Sequence, residues 1–206
     1  MRVLVACEYS GIVRDAFRAR GHDAWSCDIL PTESEPRWHI QGDAIEAAYS
    51  QQWDLLIGHP PCTYLANSGS KHLYEGMSKN NGANGERWAR MGEGAGFFLA
   101  LWNAPVERIA LENPIMLGHP QRLFGIPKPT QVIQPWQFGH GETKAVCLWL
   151  KGLLPLRETN VVEGREARVH RMAPGPNRQK ERSRFFTGIA EAMADQWGGD
   201  ASRKAA

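Results

Sequence analysis

A cysteine in a setting suited to a nucleophile directly follows two prolines in this sequence. Residues 53–65 read WDLLIGHPPCTYL, so an apolar run typical of a β-strand stops at Pro60 and Pro61, and Cys62 comes next. Consecutive prolines hold the backbone extended and rigid, which fixes the position of the thiol at the rim of a sheet. A lone cysteine is more often a small buried hydrophobe, but a thiol fixed in this way is able to attack a substrate covalently.

A carboxylate follows a second apolar run in the same manner. Residues 108–114 read RIALENP, and the run ends at Glu112, Asn113 and Pro114, about 50 residues beyond Cys62. A glutamate that shares a site with a thiol is able to donate or accept a proton during covalent catalysis. The two clusters together indicate one catalytic site at the ends of two strands.

The order of residues near the amino terminus is that expected for a nucleotide-type cofactor. The turn ACEYSG at 6–11 follows an apolar run, and the acidic residues Asp28 and Asp43 come later. In such sites a tight turn approaches the cofactor, one acid binds ribose hydroxyls and a second acid binds an adenine amine. Taken singly, each of these acids is equally well explained as a helix cap or a turn residue.

These clusters require a sheet that brings the strand ends together. Apolar runs typical of strands alternate with segments of helical periodicity, which predicts βαβ units and an α/β fold. We therefore predict a single domain over residues 1–206 with a doubly wound, mostly parallel sheet, whose ligands bind at the carboxyl ends of the strands. The predicted strands lie at 2–6, 22–29, 53–58 and 108–114, and the predicted helices at 12–21, 42–52 and 86–104.

The composition permits this architecture without selecting a function. The chain has 206 residues, of which 42% are hydrophobic, and a formal net charge of +2. The mild positive charge permits a nucleic-acid partner and equally suits many small-molecule enzymes. Four separated cysteines with no CxxC pair predict reduced thiols, and the first apolar run is too short for a signal peptide or a membrane span. We expect a cytoplasmic protein, of a prokaryote or of a virus inside its host, with no membrane contact.

The ordered pair of motifs resembles the DNA cytosine-5 methyltransferases. GHPPC at 58–62 is similar to the family's Pro-Cys motif, LENP at 111–114 to its Glu-Asn motif, and TGIAEAMADQW at 187–197 to its final helix. The resemblance covers most of the chain, and its specificity lies in the order and spacing of the first two motifs. It implies a Rossmann-like class I methyltransferase fold that uses S-adenosyl-L-methionine. An amino-methylating enzyme is instead expected to carry Asp/Asn-Pro-Pro-aromatic where Cys62 stands.

By this resemblance, the cofactor is bound by the first turn and by the residues that follow the next strands. The segment from 8 to 11 is a poor copy of the family's aromatic and glycine-rich first motif. The cofactor-binding residues that the resemblance implies are Cys7, Glu8, Tyr9, Ser10, Gly11, Asp28, Ile29, Asp43, Ala44 and Pro60.

The resemblance also implies a covalent mechanism on a cytosine that is flipped out of DNA. The Cys62 thiolate adds to C6 while Glu112 hydrogen-bonds to or protonates N3, and the activated C5 then takes the methyl group. A base finally removes the C5 proton, and Cys62 is eliminated. Asn113 and Pro114 are implied to bind the substrate, whose extrusion from a duplex costs a few kcal/mol.

The Gln-x-Arg-x-Arg step of the family has no direct counterpart here. In FGHGETKAVCLWL at 138–150, Lys144 stands where the first arginine is expected, while ERSRFF at 181–186 offers Arg182 and Arg184 as a competing assignment. Lys144 is expected to contact the pyrimidine O2 or a phosphate as a point charge, and the arginine pair to bind phosphate. Solvated surface charge is the alternative for both.

Two further segments are predicted to surround the site. Residues 63–85 are rich in Gly, Ser and Asn and too poor in apolar periodicity for the core, so we predict a mobile lid, with a disordered insert as the alternative. A basic loop at about 157–184 stands where the family carries a large target-recognition domain, and its arginines are typical of phosphate-backbone contacts. An exposed flexible loop is the alternative. Because this loop is too short for a core of its own, we predict a short or relaxed sequence context.

Two other classes of function remain open at this stage. One is C5 methylation of cytosine in free nucleotides or RNA, and the other is a catalytically silent nucleic-acid-binding relative. No metal site is expected, and the sequence does not indicate a protein partner.

Overall fold

Seven strands form one sheet in the computed structural model, which describes residues 1–173, 175, 178, 182 and 184–199. In chain order they are β1 (Arg2–Ala6), β2 (Asp23–Asp28), β3 (His39–Gln41), β4 (Leu55–Gly58), β5 (Ile109–Asn113), β6 (Gln131–Ile133) and β7 (Val146–Lys151). Their order across the sheet is β3-β2-β1-β4-β5-β7-β6.

The strand directions confirm the predicted fold class. Strands β1 to β5 pair in parallel, whereas β7 is antiparallel both to β5 and to β6. The chain moves outward from β1 to β3 and then returns to the other side of β1 at β4, so the strand order reverses between β1 and β4. This mostly parallel, doubly wound sheet is a Rossmann-like α/β fold, in which ligands bind outside the carboxyl ends of the strands at such a reversal.

Helices cover both faces of the sheet. They are α1 (Ile12–Arg18), α2 (Ala44–Tyr49), α3 (Gly85–Trp102), α4 (Gly118–Phe124), α5 (Arg168–Arg171) and α6 (Thr187–Trp197). Successive strand residues point to opposite faces, so Val3 and Val5 of β1 pack with α1 and α6, while Leu4 and Ala6 pack with α2 and α3. The same alternation along the neighbouring strands produces two hydrophobic layers with the sheet between them.

Helix α6 coincides with residues 187–197, which the resemblance implies to be a final helix. Ile189, Met193 and Trp197 are spaced four residues apart and are all buried. At the start of the helix, the N–H of Gly188 donates to Nε2 of His140 at 3.0 Å, which satisfies one of the free amides of the first turn. This contact fixes the direction from which the preceding residues enter the helix.

The segment predicted as a lid is partly core, contrary to the expectation from its composition. It forms short 3₁₀ turns over Asn67–Leu73, Glu75–Met77 and Lys79–Asn81. Leu65 and Leu73 are fully buried beneath these turns, because two well-spaced apolar residues suffice to attach a polar segment to the core. The movement of this segment as a lid stays a prediction.

The predicted strands and helices do not include β3, α4, β6, β7 or α5. Of the predicted basic loop, α5 and the turns before it are described, whereas Lys180 and several of its neighbours lie outside the described residues. Within the described ranges, none of the helices is long and apolar enough to cross a membrane.

Candidate active site

A cavity of about 1010 Å³ opens at the edge of the sheet where the strand order reverses. Its walls come from residues 7–10 after β1, 59–63 after β4, 112–115 at the end of β5 and 144–145 before β7. Strand β7 contributes with its amino end because it runs antiparallel to β5. The three predicted catalytic residues, Cys62, Glu112 and Lys144, therefore line one cavity.

The turn after β4 holds Cys62 in the cavity wall. The N–H of His59 donates to the carbonyl of Ala6 at 3.0 Å, so the chain is still paired with β1 as it leaves the sheet. Two prolines follow, and the carbonyl of Cys62 then accepts hydrogen bonds from the N–H groups of Leu65 and Ala66 at 3.1 and 2.9 Å. Cys62 is a free, half-buried thiol with its backbone fixed on both sides.

Burial and the neighbouring charges shift the pKa of Cys62 in both directions. Burial raises the pKa of the thiol above its ordinary value, and the neighbouring carboxyl of Glu112 raises it further. Lys144 and Arg182 lower the pKa, because a nearby positive charge favours the thiolate. Cys62 is thus a protonated thiol near neutral pH, and cations that favour its ionisation are already within range.

Glu112 and Asn113 occupy the end of β5, beside the Pro-Pro step. Asn113 is 1% exposed, and its Nδ2 donates to the carbonyl of Pro60 at 2.7 Å and to the carbonyl of Glu112 at 3.0 Å. The side chain therefore ties the end of β5 to the turn that carries Cys62. Its Oδ1 is buried without a partner among the described residues and is able to accept a hydrogen bond from a ligand in the cavity.

The two competing assignments for the missing arginine step lie in the same wall. Lys144, Arg182 and Arg184 all line the cavity, and Lys144 Nζ donates to the carbonyl of Arg182 at 2.9 Å. The ammonium also lies 5.6 Å from the centre of the Phe186 ring. Arg184 is exposed and forms an ion pair of 3.0 Å with Glu33, which reduces its availability for a phosphate. The structure thus brings the lysine and the arginines together instead of selecting one.

The turn after β1 supplies the wall nearest the predicted cofactor. Cys7, Glu8, Tyr9 and Ser10 all line the cavity. Glu8 is buried and accepts hydrogen bonds from the N–H groups of Val13 at 2.7 Å and Arg14 at 3.1 Å. Burial raises the pKa of Glu8, whereas His59 and these two amides act in the opposite direction. Glu8 therefore serves the start of α1, and Tyr9 and Ser10 remain the more accessible candidates for cofactor contacts.

Gly11, also predicted to bind the cofactor, has a clear structural role. It precedes α1 with a φ of 75°, in the left-handed region that side chains rarely adopt. A Cβ atom at this position would lie 2.7 Å from the guanidinium of Arg14 and 2.9 Å from Cβ of Ser34. Gly11 is needed for the turn and does not line the cavity.

The predicted acids lie beyond the cavity wall and are engaged locally. Asp28 Oδ1 accepts from the N–H of Leu30 at 2.9 Å, and Asp43 caps α2 by accepting from Ile45 and Glu46. Both carboxylates nevertheless raise the pKa of Cys7, after the larger effect of burial, which places them near the turn after β1. Of the other two residues predicted here, Ile29 is 76% exposed, whereas Ala44 is buried beneath α2.

Pro60 and Pro114 line the cavity where the resemblance expects them. Among the residues of the wall that the sequence does not single out are His59 and Phe185, and Arg178 lies in the predicted basic loop. Phe185 packs on the ring of His59 with 4.8 Å between centroids, and Arg178 Nε donates to the carbonyl of Met172 at 2.9 Å. The sequence signal for His59 is its place between a strand end and the Pro-Pro-Cys step. Phe185 carries no signal, because its approach depends on the path of the chain before α6.

Comparisons with known proteins add little to this geometry. No protein-family model matches the sequence, and no curated protein matches it significantly. Among 30 matching chains of known structure is a provisionally assigned DNA modification methyltransferase encoded within an E. coli prophage, 12% identical with a TM-score of 0.42. That alignment covers 73% of this chain and 46% of the other protein's length. A match at this identity and score carries no inference about function, so the fold class rests on the strand order and register.

Proposed function

We propose that the protein transfers a methyl group from S-adenosyl-L-methionine to C5 of cytosine in DNA. The observation that carries the proposal is the placement of the Cys62 thiol and the Glu112 carboxyl in one cavity, within electrostatic range of each other. A thiol that reaches the face of a flat ring and a proton donor at its edge are what C5 methylation requires, because C5 of cytosine is a weak nucleophile until C6 carries an added nucleophile.

The cavity also fits an adenosine-containing cofactor. Its position at the reversal of the strand order is where doubly wound folds bind nucleotides, and its volume of about 1010 Å³ leaves room for both a cofactor and a base. The ribose and the adenine would extend beyond the cavity wall, past the turn after β1, where Asp28 and Asp43 would hold them and the exposed Ile29 would cover the flat ring. S-adenosyl-L-methionine supplies an electrophilic methyl group when it is bound.

Each catalytic residue has one task in this scheme. Cys62 passes its thiol proton to the Glu112 carboxylate, with Lys144 and Arg182 favouring the thiolate, and its sulfur forms a bond to C6. Glu112 gives that proton to N3, which lets the ring accept the electron pair. C5 then takes the methyl group, a base removes the C5 proton, and the electrons of that C–H bond restore the ring as the C6–S bond breaks. The proton on N3 returns through Glu112 to the released Cys62 sulfur.

Nucleoside analysis tests this function directly. Duplex DNA incubated with the protein and S-adenosyl-L-methionine is expected to yield 5-methyl-2′-deoxycytidine by mass spectrometry, and Cys62→Ala is expected to yield none while its cofactor affinity is retained. DNA that contains 5-fluorocytosine is expected to trap the wild-type protein covalently, because the C5 position no longer holds a removable proton. The buried Cys147, changed to Ala, is the matched control and is expected to cost only about 1 kcal/mol of stability.

Assays with other substrates distinguish the alternative functions. If dCMP or RNA is methylated and DNA is not, the substrate is that nucleotide or RNA and not DNA. A methylated amino group on cytosine or adenine, or full activity of Cys62→Ala, would overturn the covalent mechanism. Failure of the protein to bind S-adenosyl-L-methionine by calorimetry would indicate a silent binding protein.

A further inference from the structure

His59 is placed against the predicted proton donor. Its Nδ1 lies 3.3 Å from Oε2 of Glu112, and the two side chains are 14% and 13% exposed. His59 follows β4 and Glu112 lies on β5, and these strands are paired with Gly58 opposite Leu111. The contact is therefore set by the strand register, and it holds one carboxyl oxygen of Glu112 in a fixed direction.

The remaining contacts of the imidazole restrict its rotation. The ring packs on Phe185 at 4.8 Å, and the backbone N–H of His59 is tied to Ala6 at 3.0 Å. Nε2 is buried and has no hydrogen-bond partner within the described part of the chain. Nδ1 faces a carboxyl oxygen, which accepts hydrogen bonds, so we assign a ring proton to Nδ1, directed toward Glu112.

We propose that His59 is a positioning residue for Glu112 in the reaction proposed above, on which this inference rests. Nδ1–H donates to Oε2 throughout the cycle and leaves Oε1 to exchange its proton with N3 of cytosine. When that proton moves to N3, Oε2 belongs to a carboxylate and the bond from His59 becomes charge-assisted. The proton returns to Oε1 when Cys62 is eliminated, so His59 gains and loses none.

Several charged groups surround this pair. They are Glu8 after β1, Cys62 on the same turn, Lys144 before β7, and Arg178, Arg182 and Arg184 before α6. A pH profile alone therefore reports on all of them. The hydrogen bond is therefore tested by substitutions of His59 in two Glu112 backgrounds and by direct observation of the imidazole proton.

Two substitutions separate the hydrogen bond from the space that the ring fills. His59→Asn retains a donor close to the position of Nδ1, while His59→Leu removes it at similar volume. We expect single-turnover methyl transfer to fall less than about 10-fold in the Asn variant and about 30- to 100-fold in the Leu variant, with KM for DNA changed less than about twofold. In a Glu112→Gln background, His59→Leu is expected to add less than about threefold, because the two residues act as one unit.

A second measurement does not depend on activity. Two-dimensional ¹H–¹⁵N spectra of the imidazole nitrogens, with His59 assigned by its loss in His59→Asn, are expected to show the Nδ1-protonated form at pH 8. A proton on Nε2 alone, equal rates for His59→Leu and wild type, or equal losses in both Glu112 backgrounds would each overturn the inference. If the Nδ1 proton is observed but no methylcytosine forms, the inferred hydrogen bond stands and the proposed function fails.

Discussion

Glu112 disfavours ionisation of the Cys62 thiol, which lines the same cavity. After burial, its negative charge is the largest cause that raises the pKa of Cys62. In the proposed reaction, Glu112 accepts the thiol proton, so its charge no longer opposes the thiolate at the moment when the sulfur bonds to C6.

Glu112→Gln is expected to change two rates in opposite directions. Methyl transfer should fall at least 100-fold with little loss of DNA affinity, because the carboxyl is needed as charge develops on the ring. Alkylation of Cys62 by iodoacetamide at pH 8 should rise severalfold, because removal of the negative neighbour lowers the pKa of the thiol and increases the thiolate fraction. Peptide mass spectrometry resolves Cys62 from the more deeply buried Cys7.

The rates of alkylation and of methyl transfer test two separate roles of Glu112. Unchanged alkylation would show that Glu112 does not act on the thiol, and a loss confined to DNA affinity would remove it from the chemistry. Glu93→Gln is the matched control, because this glutamate lies on the exposed side of α3 in an ion pair with Arg90.

At the scale of elements, periodicity predicted the segments with repeated apolar residues and missed the strands of three residues. β1 and α3 have enough apolar repeats to be predicted from the residues alone, whereas α6 was implied by the resemblance. β3 and β6 have three residues each, and β6 lies among prolines with Val132 exposed, so neither offers a pattern. β3 and β6 are strands because they pair with neighbouring strands, and this long-range pairing is not visible in a short stretch of sequence.

The residues that directly follow a strand could be assigned to the site from the sequence. The contacts that depend on strand register could not. Cys62 and Glu112 end neighbouring parallel strands, so their meeting follows from the fold class. The contact between His59 and Glu112 requires the pairing of Gly58 with Leu111, and the use of Asn113 as a tie to Pro60 requires the same register. The acids Asp28 and Asp43 were identified by position, but their local roles as turn and cap residues became visible only with the backbone.

The attachment of α6 offers a test at this scale. A Cβ at Gly188 would overlap the carbonyl oxygen of Phe138, which is backbone and cannot yield easily, whereas a Cβ at Gly96 in α3 meets nothing within 4 Å. Gly188→Ala is expected to destabilise the protein by about 2 kcal/mol or more, and Gly96→Ala to stabilise it by about 0.5–1 kcal/mol. Urea denaturation measures both, and equal effects of the two substitutions would contradict the close approach.

At the scale of the whole molecule, positive charge collects beside the cavity and not over a broad surface. The net charge is only +2, yet Lys144, Arg178, Arg182 and Arg184 all line one opening. Such cations hold phosphates more readily than they distinguish bases, which requires several side chains fixed against groove edges. The segment before α6 offers few residues for that purpose.

We therefore expect methylation in a context of about two or three bases, with binding that weakens strongly as salt rises. Methylation sequencing of a random DNA library treated with the purified protein measures the context, and fluorescence anisotropy at several salt concentrations measures the slope. A strict recognition site of five or more bases would contradict the expectation. Arg157→Ala, which changes an exposed arginine that does not line the cavity, is the control and is expected to leave the context unchanged.

The position of β7 between β5 and β6 also constrains how the chain reaches its native state. β6 precedes β7 in the sequence, yet β7 is its single neighbour in the sheet. When the chain has been synthesised only as far as Ile133, β6 has no native partner, because β7, which lies between β5 and β6 in the sheet, has not yet been made. The three residues of β6 can therefore pair only after Val146–Lys151 has paired with β5. We expect the amino end of β7, and with it Lys144, to take its place late in folding, after the walls that carry Cys62 and Glu112.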